Sequence, residues 1–204
     1  MWYPSTVADS VAAPITLAEA KRHLRITGSD SDDLIQASLD AAIAQVEAYC
    51  YIRLGAQSLV MRCDAFTDFV RLPDAPLQSI ASVTYVDTFG VTQTLPASVY
   101  ELRSEGLAPS IVLKPLQTWP VRQAGTRITV SATAGWATLP PNIRAAVLLT
   151  LSRVYAVGQA DMQVVRERVD GVGEVQMAGI SATTAAITDT VRDILEPYRN
   201  WPLS

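Results

Sequence analysis

Apolar residues return every three or four positions in two long stretches, the spacing that lines one side of an α-helix. In the first, Ile35, Leu39, Ala42, Ile43, Val46, Tyr49 and Cys50 form a stripe, while Gln36, Asp40, Gln45 and Glu47 fall opposite. This predicts a helix from Asp32 to Arg53, closed by Gly55. In the second, Ile143, Val147, Leu148, Leu151, Val154 and Tyr155 follow Pro140-Pro141, where a first-turn proline loses no hydrogen bond, and a helix runs to Gly158. A short helix is predicted after Pro14, because Thr16 and Glu19 form a T-x-x-E capping box with Ile15 as the outer half of a hydrophobic staple. Leu17, Ala20 and Leu24, with His23, share its length, and Gly28 supplies a stop. A last short helix holds Asp189, Val191, Ile194 and Leu195 and is stopped by Pro197.

Between the long helices the period changes to two. Ser58 to Cys63, Phe69 to Leu72, Ile80 to Asp87, Val91 to Leu95, Val99 to Leu102, Ile111 to Leu113 and Arg127 to Thr133 read as short strands, with Thr88-Phe89-Gly90 turning a hairpin. Pro and Gly bound them, which suggests a compact antiparallel sheet. From Asp161 to Ala186 the chain is rich in Gly, Ala, Thr and Val without helical period, an extended arm or irregular hairpin. The fold class is therefore α+β: a helical core of two long helices plus short N- and C-terminal helices, an inserted small antiparallel β-sheet, and an extended C-terminal arm. Residues 1–160 make the core, with the β insertion at about 57–134, and residues 161–204 make the arm with its short terminal helix.

Charge narrows the partners. The formal net charge is −4 and the pI near 5.0, and Lys21 and Lys114 are the lysines. Arginines are scattered singly, so no broad phosphate-gripping face is expected. No stretch approaches the roughly 20 uncharged residues of a spanning helix, and Met1-Trp2-Tyr3-Pro4 has no basic region before an apolar core, so the expectation is a soluble protein. Cys50 and Cys63 lack zinc-site spacing and fit packing roles in a reducing compartment.

Candidate chemistry is sparse. His23 is the one histidine, which makes any metal cluster or nucleophilic triad depend on it, and no G-x-S-x-G elbow accompanies it. Gly171-Val172-Gly173 lacks the third glycine and the strand-to-helix setting of a dinucleotide site. Asp30, Asp32 and Asp33 could suggest calcium, but they lack the later bidentate Glu and suit helix capping better. Trp119, Trp136 and Trp201 could stack on a sugar or base, yet without basic neighbours they read as packing. No catalytic residue, metal or cofactor is expected.

The order of segments carries more than any one of them. P-I-T-L-A-E-A-K-R-H-L-R-I (Pro14 to Ile26), an acidic loop, and D-D-L-I-Q-A-S-L-D-A-A-I-A-Q-V-E-A-Y (Asp32 to Tyr49) lead to R-L-P-D-A-P-L-Q-S-I-A-S-V-T-Y-V-D (Arg71 to Asp87). T-A-G-W (Thr133 to Trp136), L-P-P-N-I-R-A-A-V-L-L (Leu139 to Leu149) and L-E-P-Y-R (Leu195 to Arg199) follow. In this order they resemble the phage head-tail connector (adaptor) family, found in long-tailed phages, prophages and gene transfer agents.

The resemblance implies a non-enzymatic structural subunit of the virion neck at the head-tail junction, made in the bacterial host cytoplasm. It implies a homo-oligomeric ring, a dodecamer in the particle, seated under the portal protein and joined to stopper or tail-terminator proteins. DNA would pass through the ring without specific binding, and no membrane is involved. The portal-binding arm is expected to use Val164, Val165, Val169, Val172, Tyr198, Arg199 and Trp201, apolar and aromatic anchors without an internal core to fill. The subunit interface is expected on the exposed sides of the two long helices, with Arg144 and Arg153 as charged contacts. The rival readings are a stopper or tail-completion protein of the same particle, and a ligand-binding or enzymatic domain built around Trp119, Arg122 and Trp136. Lytic phage, prophage and gene transfer particle remain equal as sources.

Overall fold

The structure, a computed structural model, describes residues 1–10, 13–161 and 187–200. Its chain divides into two compact units, one built from Met1–Pro14, Cys50–Leu139 and the final residues from Tyr198, the other from Ile15–Tyr49 and Pro140–Pro197.

The second unit is helical. Helix α1 is Leu17–Leu24, α2 Asp32–Cys50, α3 Pro141–Asp161 and α4 Asp189–Leu195. Thr16 caps α1 as its motif predicts, its hydroxyl accepting from the Glu19 amide at 3.2 Å. The stop is earlier than expected: Arg25 adopts a left-handed backbone (φ 57°), and the Ile26 amide closes on the Lys21 carbonyl at 3.0 Å. The predicted stripes are buried in part, with Ile43, Tyr49, Leu148, Val154 and Tyr155 half-buried. Ile35, Leu39, Ala42 and Val46 of α2, and Ile143, Ala146, Val147 and Leu151 of α3, are fully buried, with Val191 and Leu195 of α4. Helix α2 ends at Cys50 rather than Arg53 because Tyr51 turns left-handed (φ 55°) and the Asn200 amide takes the Cys50 carbonyl at 2.7 Å. Gly158 does not end α3, which continues to Asp161.

The first unit is the sheet. Strands β1 (Thr6–Ser10), β2 (Gln57–Cys63), β3 (Leu77–Val86), β4 (Thr92–Thr94) and β7 (Ile128–Ala134) form an antiparallel sheet in the order β1-β2-β7-β3-β4. β5 (Tyr100–Arg103) and β6 (Ser110–Leu113) pair separately. Central β7 alternates, burying Ile128, Val130, Ala132 and Ala134, and Leu59, Met61 and Cys63 of β2 lie on the same buried face. The hairpin of β3 and β4 is the one the sequence predicts. Two elements differ from expectation. Phe69 to Leu72 is not a strand; a 3-10 helix spans Phe66–Val70, its start held by Asp68, whose carboxylate accepts the Asp64 and Ala65 amides at 3.2 and 3.0 Å. Phe66 and Phe69, three apart, are both buried, the spacing of that tighter helix. β1 was not expected, because Thr6 to Asp9 are all exposed on an edge strand and carry no alternation.

Candidate functional site

Of the residues expected in a partner-binding arm, Val164, Val165, Val169, Val172 and Trp201 lie outside the described residues. Tyr198 and Arg199 are half-buried just before Asn200. Asn200 is the anchor the sequence did not reveal. It is buried, its amide donates to the Cys50 carbonyl, its Nδ2 to the Tyr51 carbonyl at 3.5 Å, and its Oδ1 accepts from the Arg71 guanidinium at 2.5 Å. A lone Asn near a chain end has no periodic neighbours to mark it as buried. The left-handed residue Tyr51 and the aligned carbonyls that make its site appear only in three dimensions.

The two arginines expected at a subunit interface stand nine positions apart on α3, two and a half turns, and so face opposite sides of the helix. Arg144 braces α1: its Nη1 donates to both oxygens of Glu19 at 2.7 and 2.8 Å. The pair is a third exposed on the arginine side and contributes no more than about 1 kcal/mol. Arg153 is half-buried.

The acidic loop receives its cation from the chain itself. Lys21 Nζ donates to the Gly28 carbonyl and to Asp32 Oδ1, the latter at 2.5 Å, occupying the oxygens a metal would need. Among the described residues no group of three metal-ligating side chains converges. His23 Nε2 lies 2.9 Å from Ser152 Oγ, but the Ser152 hydroxyl donates to the Leu148 carbonyl at 3.2 Å. The histidine must therefore donate to the serine, the reverse of the polarity that activates a serine nucleophile.

Of the tryptophans offered for a ligand platform, Trp119 packs internally, Trp136 is half-buried and Trp201 lies outside the described residues. Trp119 stacks on Phe66 at 4.9 Å and meets Phe69 edge-on at 5.4 Å, while Arg122 Nη1 donates to the Thr126 carbonyl at 2.8 Å. Trp136 bridges to Gly55, its amide donating to the Leu54 carbonyl at 3.1 Å. Both cysteines are buried. Burial, then the nearby Asp68 carboxylate, pushes the Cys63 thiol up to about 12, which keeps it a protonated, unreactive packing group. Among the described residues no helix is long and apolar enough to cross a membrane.

At the β3–β4 turn Asp87 organises the backbone. Its Oδ1 accepts the Phe89 and Val91 amides at 2.9 and 3.0 Å, and its Oδ2 accepts Gln93 Nε2 at 2.9 Å. Gln93's hydrogen bond, then those amides, hold this carboxyl below the usual range. Phe89 at the tip is 90% exposed, so the turn presents it rigidly rather than burying it.

Comparison with known proteins adds the context this geometry lacks. Residues 14–90, from the lead-in to α1 through the Asp87 turn, match the family model described as Phage gp6-like head-tail connector protein. No curated protein matches. Among solved structures, a chain in the neck of an empty GTA particle computed with C6 symmetry is similar at 21% identity and TM-score 0.66, covering 100% of this chain and 97% of the other. A chain in the virion of a native gene transfer agent particle is similar at 22% identity and TM-score 0.69, covering 98% and 97%. A third, in the neck of a native GTA particle computed with C12 symmetry, shares 21% identity and a TM-score of 0.62, covering 96% of each chain. The likeness to head-tail connectors read from the sequence is thus shown over residues 14–90 by the family model, and the fold of the chain is shared with chains of those particles.

Proposed function

We propose, from a chain whose residues 14–90 carry the head-tail connector pattern, that it is the adaptor subunit of a tailed particle's neck, a ring member under the portal through which DNA passes. The family match over residues 14–90 is the observation that carries this reading, and the fold shared with chains of GTA neck and virion structures supports it. The ring needs two different faces on each copy. Arg144 and Arg153 on opposite sides of α3 suit that requirement, and they belong to the proposed interface along α2 and α3. The arm of Val164, Val165, Val169, Val172, Tyr198, Arg199 and Trp201 is proposed to engage the portal. With a net charge of −4, the ring repels rather than grips the phosphates. The role is structural, without a catalytic step. Particles assembled without this chain should accumulate filled heads and separate tails that do not join; normal joining in its absence would refute the proposal. Alanine at both Tyr198 and Trp201 should weaken capture by the portal, and capture at wild-type strength would remove the arm from the account.

A further inference from the structure

Two helices of the helical unit turn outward faces of opposite charge. Helix α1 buries Ala20, with Leu17 and Leu24 half-buried beside it. On its other side Ala18 and Arg22 stand one turn apart, and Arg25 follows at the left-handed stop; all three are exposed. The acid one turn before Arg22 is Glu19, which is committed to Arg144, and His23 is committed to Ser152. Among the described residues neither the Arg22 nor the Arg25 side chain has an ion-pair partner.

Between Ile26 and Arg53 the chain carries five acids, Asp30, Asp32, Asp33, Asp40 and Glu47, and no base. Lys21 takes Asp32. Opposite the buried stripe of α2 lie Asp33, Ala37, Asp40, Ala44 and Ala48, all exposed. Asp33 and Asp40 are seven positions apart, two turns or about 10 Å along the helix. Asp40 accepts from Gln36 Nε2 at 2.8 Å, and a carboxylate has room for further donors. The two faces thus share one build, alanine beside exposed charge, with the sign reversed.

We infer that these faces meet between copies: α1 of one copy lies on α2 of the next, with Arg22 and Arg25 facing Asp33 and Asp40. The inference rests on the ring reading above and names a contact for it. Acid on acid and base on base repel, so a twofold pair is disfavoured and the contact of unlike faces runs head to tail, as a ring requires. Ala18, Ala37 and Ala44 leave the helices free to approach to the roughly 8 Å of close packing. Two free arginines do not make the basic stripe that phosphate binding draws on, whereas the α2 face matches them in number and sign. Exposed ion pairs are individually weak and are screened by salt over about 8 Å at physiological strength. The contact therefore closes only where copies are gathered on the portal, and it loosens as salt rises.

The test is ring formation on the cognate portal, seen by negative-stain microscopy, with two charge-reversed chains. One carries Arg22→Glu and Arg25→Glu, the other Asp33→Lys and Asp40→Lys. All four sites are exposed, so both chains should stay folded by circular dichroism; Arg22→Gln with Arg25→Gln, or Asp33→Asn with Asp40→Asn, replaces a chain that does not, and should form rings less well and with less dependence on salt. Each reversed chain alone should need about tenfold more protein to form rings. An equal mixture of the two should recover, because alternating copies put opposite charges at every junction. Reversed chains that form rings like wild type overturn this contact alone. So does a mixture no better than its parts, which would mean that the faces meet the portal or DNA. A wild-type chain that forms no ring overturns the adaptor reading with it.

Discussion

At Gly135 the backbone takes φ +94°, and a Cβ there would overlap the Gly55 carbonyl and come within 2.9 Å of the Ala56 nitrogen. Neither obstacle is a side chain that can swing away. Gly135→Ala should therefore cost on the order of 3 kcal/mol or more, read as a lowered denaturation midpoint, while a midpoint near wild type would mean the strand ends can part. This explains the glycine of T-A-G-W, which in the sequence was only a strand terminator. Asp87 gives a pH prediction. Its folded value is depressed, chiefly by Gln93, so its contribution is present in full above the unfolded carboxyl's value of about 3.9 and is lost as pH falls through the lower folded value. A carbon-detected titration should place Asp87 below an ordinary aspartate, and Gln93→Ala should move it back up; an unshifted Asp87 would mean the turn is not held by its side chain.

The elements were legible where their burial is periodic. Ile35, Leu39, Ala42 and Val46 recur at helical spacing and are buried, and β7 alternates along its length. Legibility failed where burial is set by something non-local. β1 has no buried face to betray it, and the end of α2 is fixed by Asn200, 150 positions along the chain from Cys50. Phe69 to Leu72 reads as a strand, although its first two residues end the 3-10 helix Phe66–Val70, because so short a stretch does not distinguish the two periods. Leu39→Ala, in the middle of α2 and fully buried, should cost about 3 kcal/mol in chemical denaturation. Asn200→Ala removes side-chain bonds to Tyr51 and Arg71 and should cost about 1–3 kcal/mol, with faster hydrogen exchange around Tyr51. Unchanged exchange there would show that Asn200 does not hold the turn.

For the whole molecule, three of the chemical candidates among the described residues resolve into structure: Lys21 fills the acidic loop, His23 donates to Ser152, and Trp119 packs on Phe66. Surfaces of assembly carry no motif a single sequence can announce. The central claim is assembly on a portal, and the mass of the chain by light scattering, alone and mixed with the cognate portal ring, tests it most directly. The account predicts stable co-elution at a stoichiometry that fills a ring, from a chain that is monomeric or annular by itself. A chain that stays monomeric and elutes apart from the portal contradicts it.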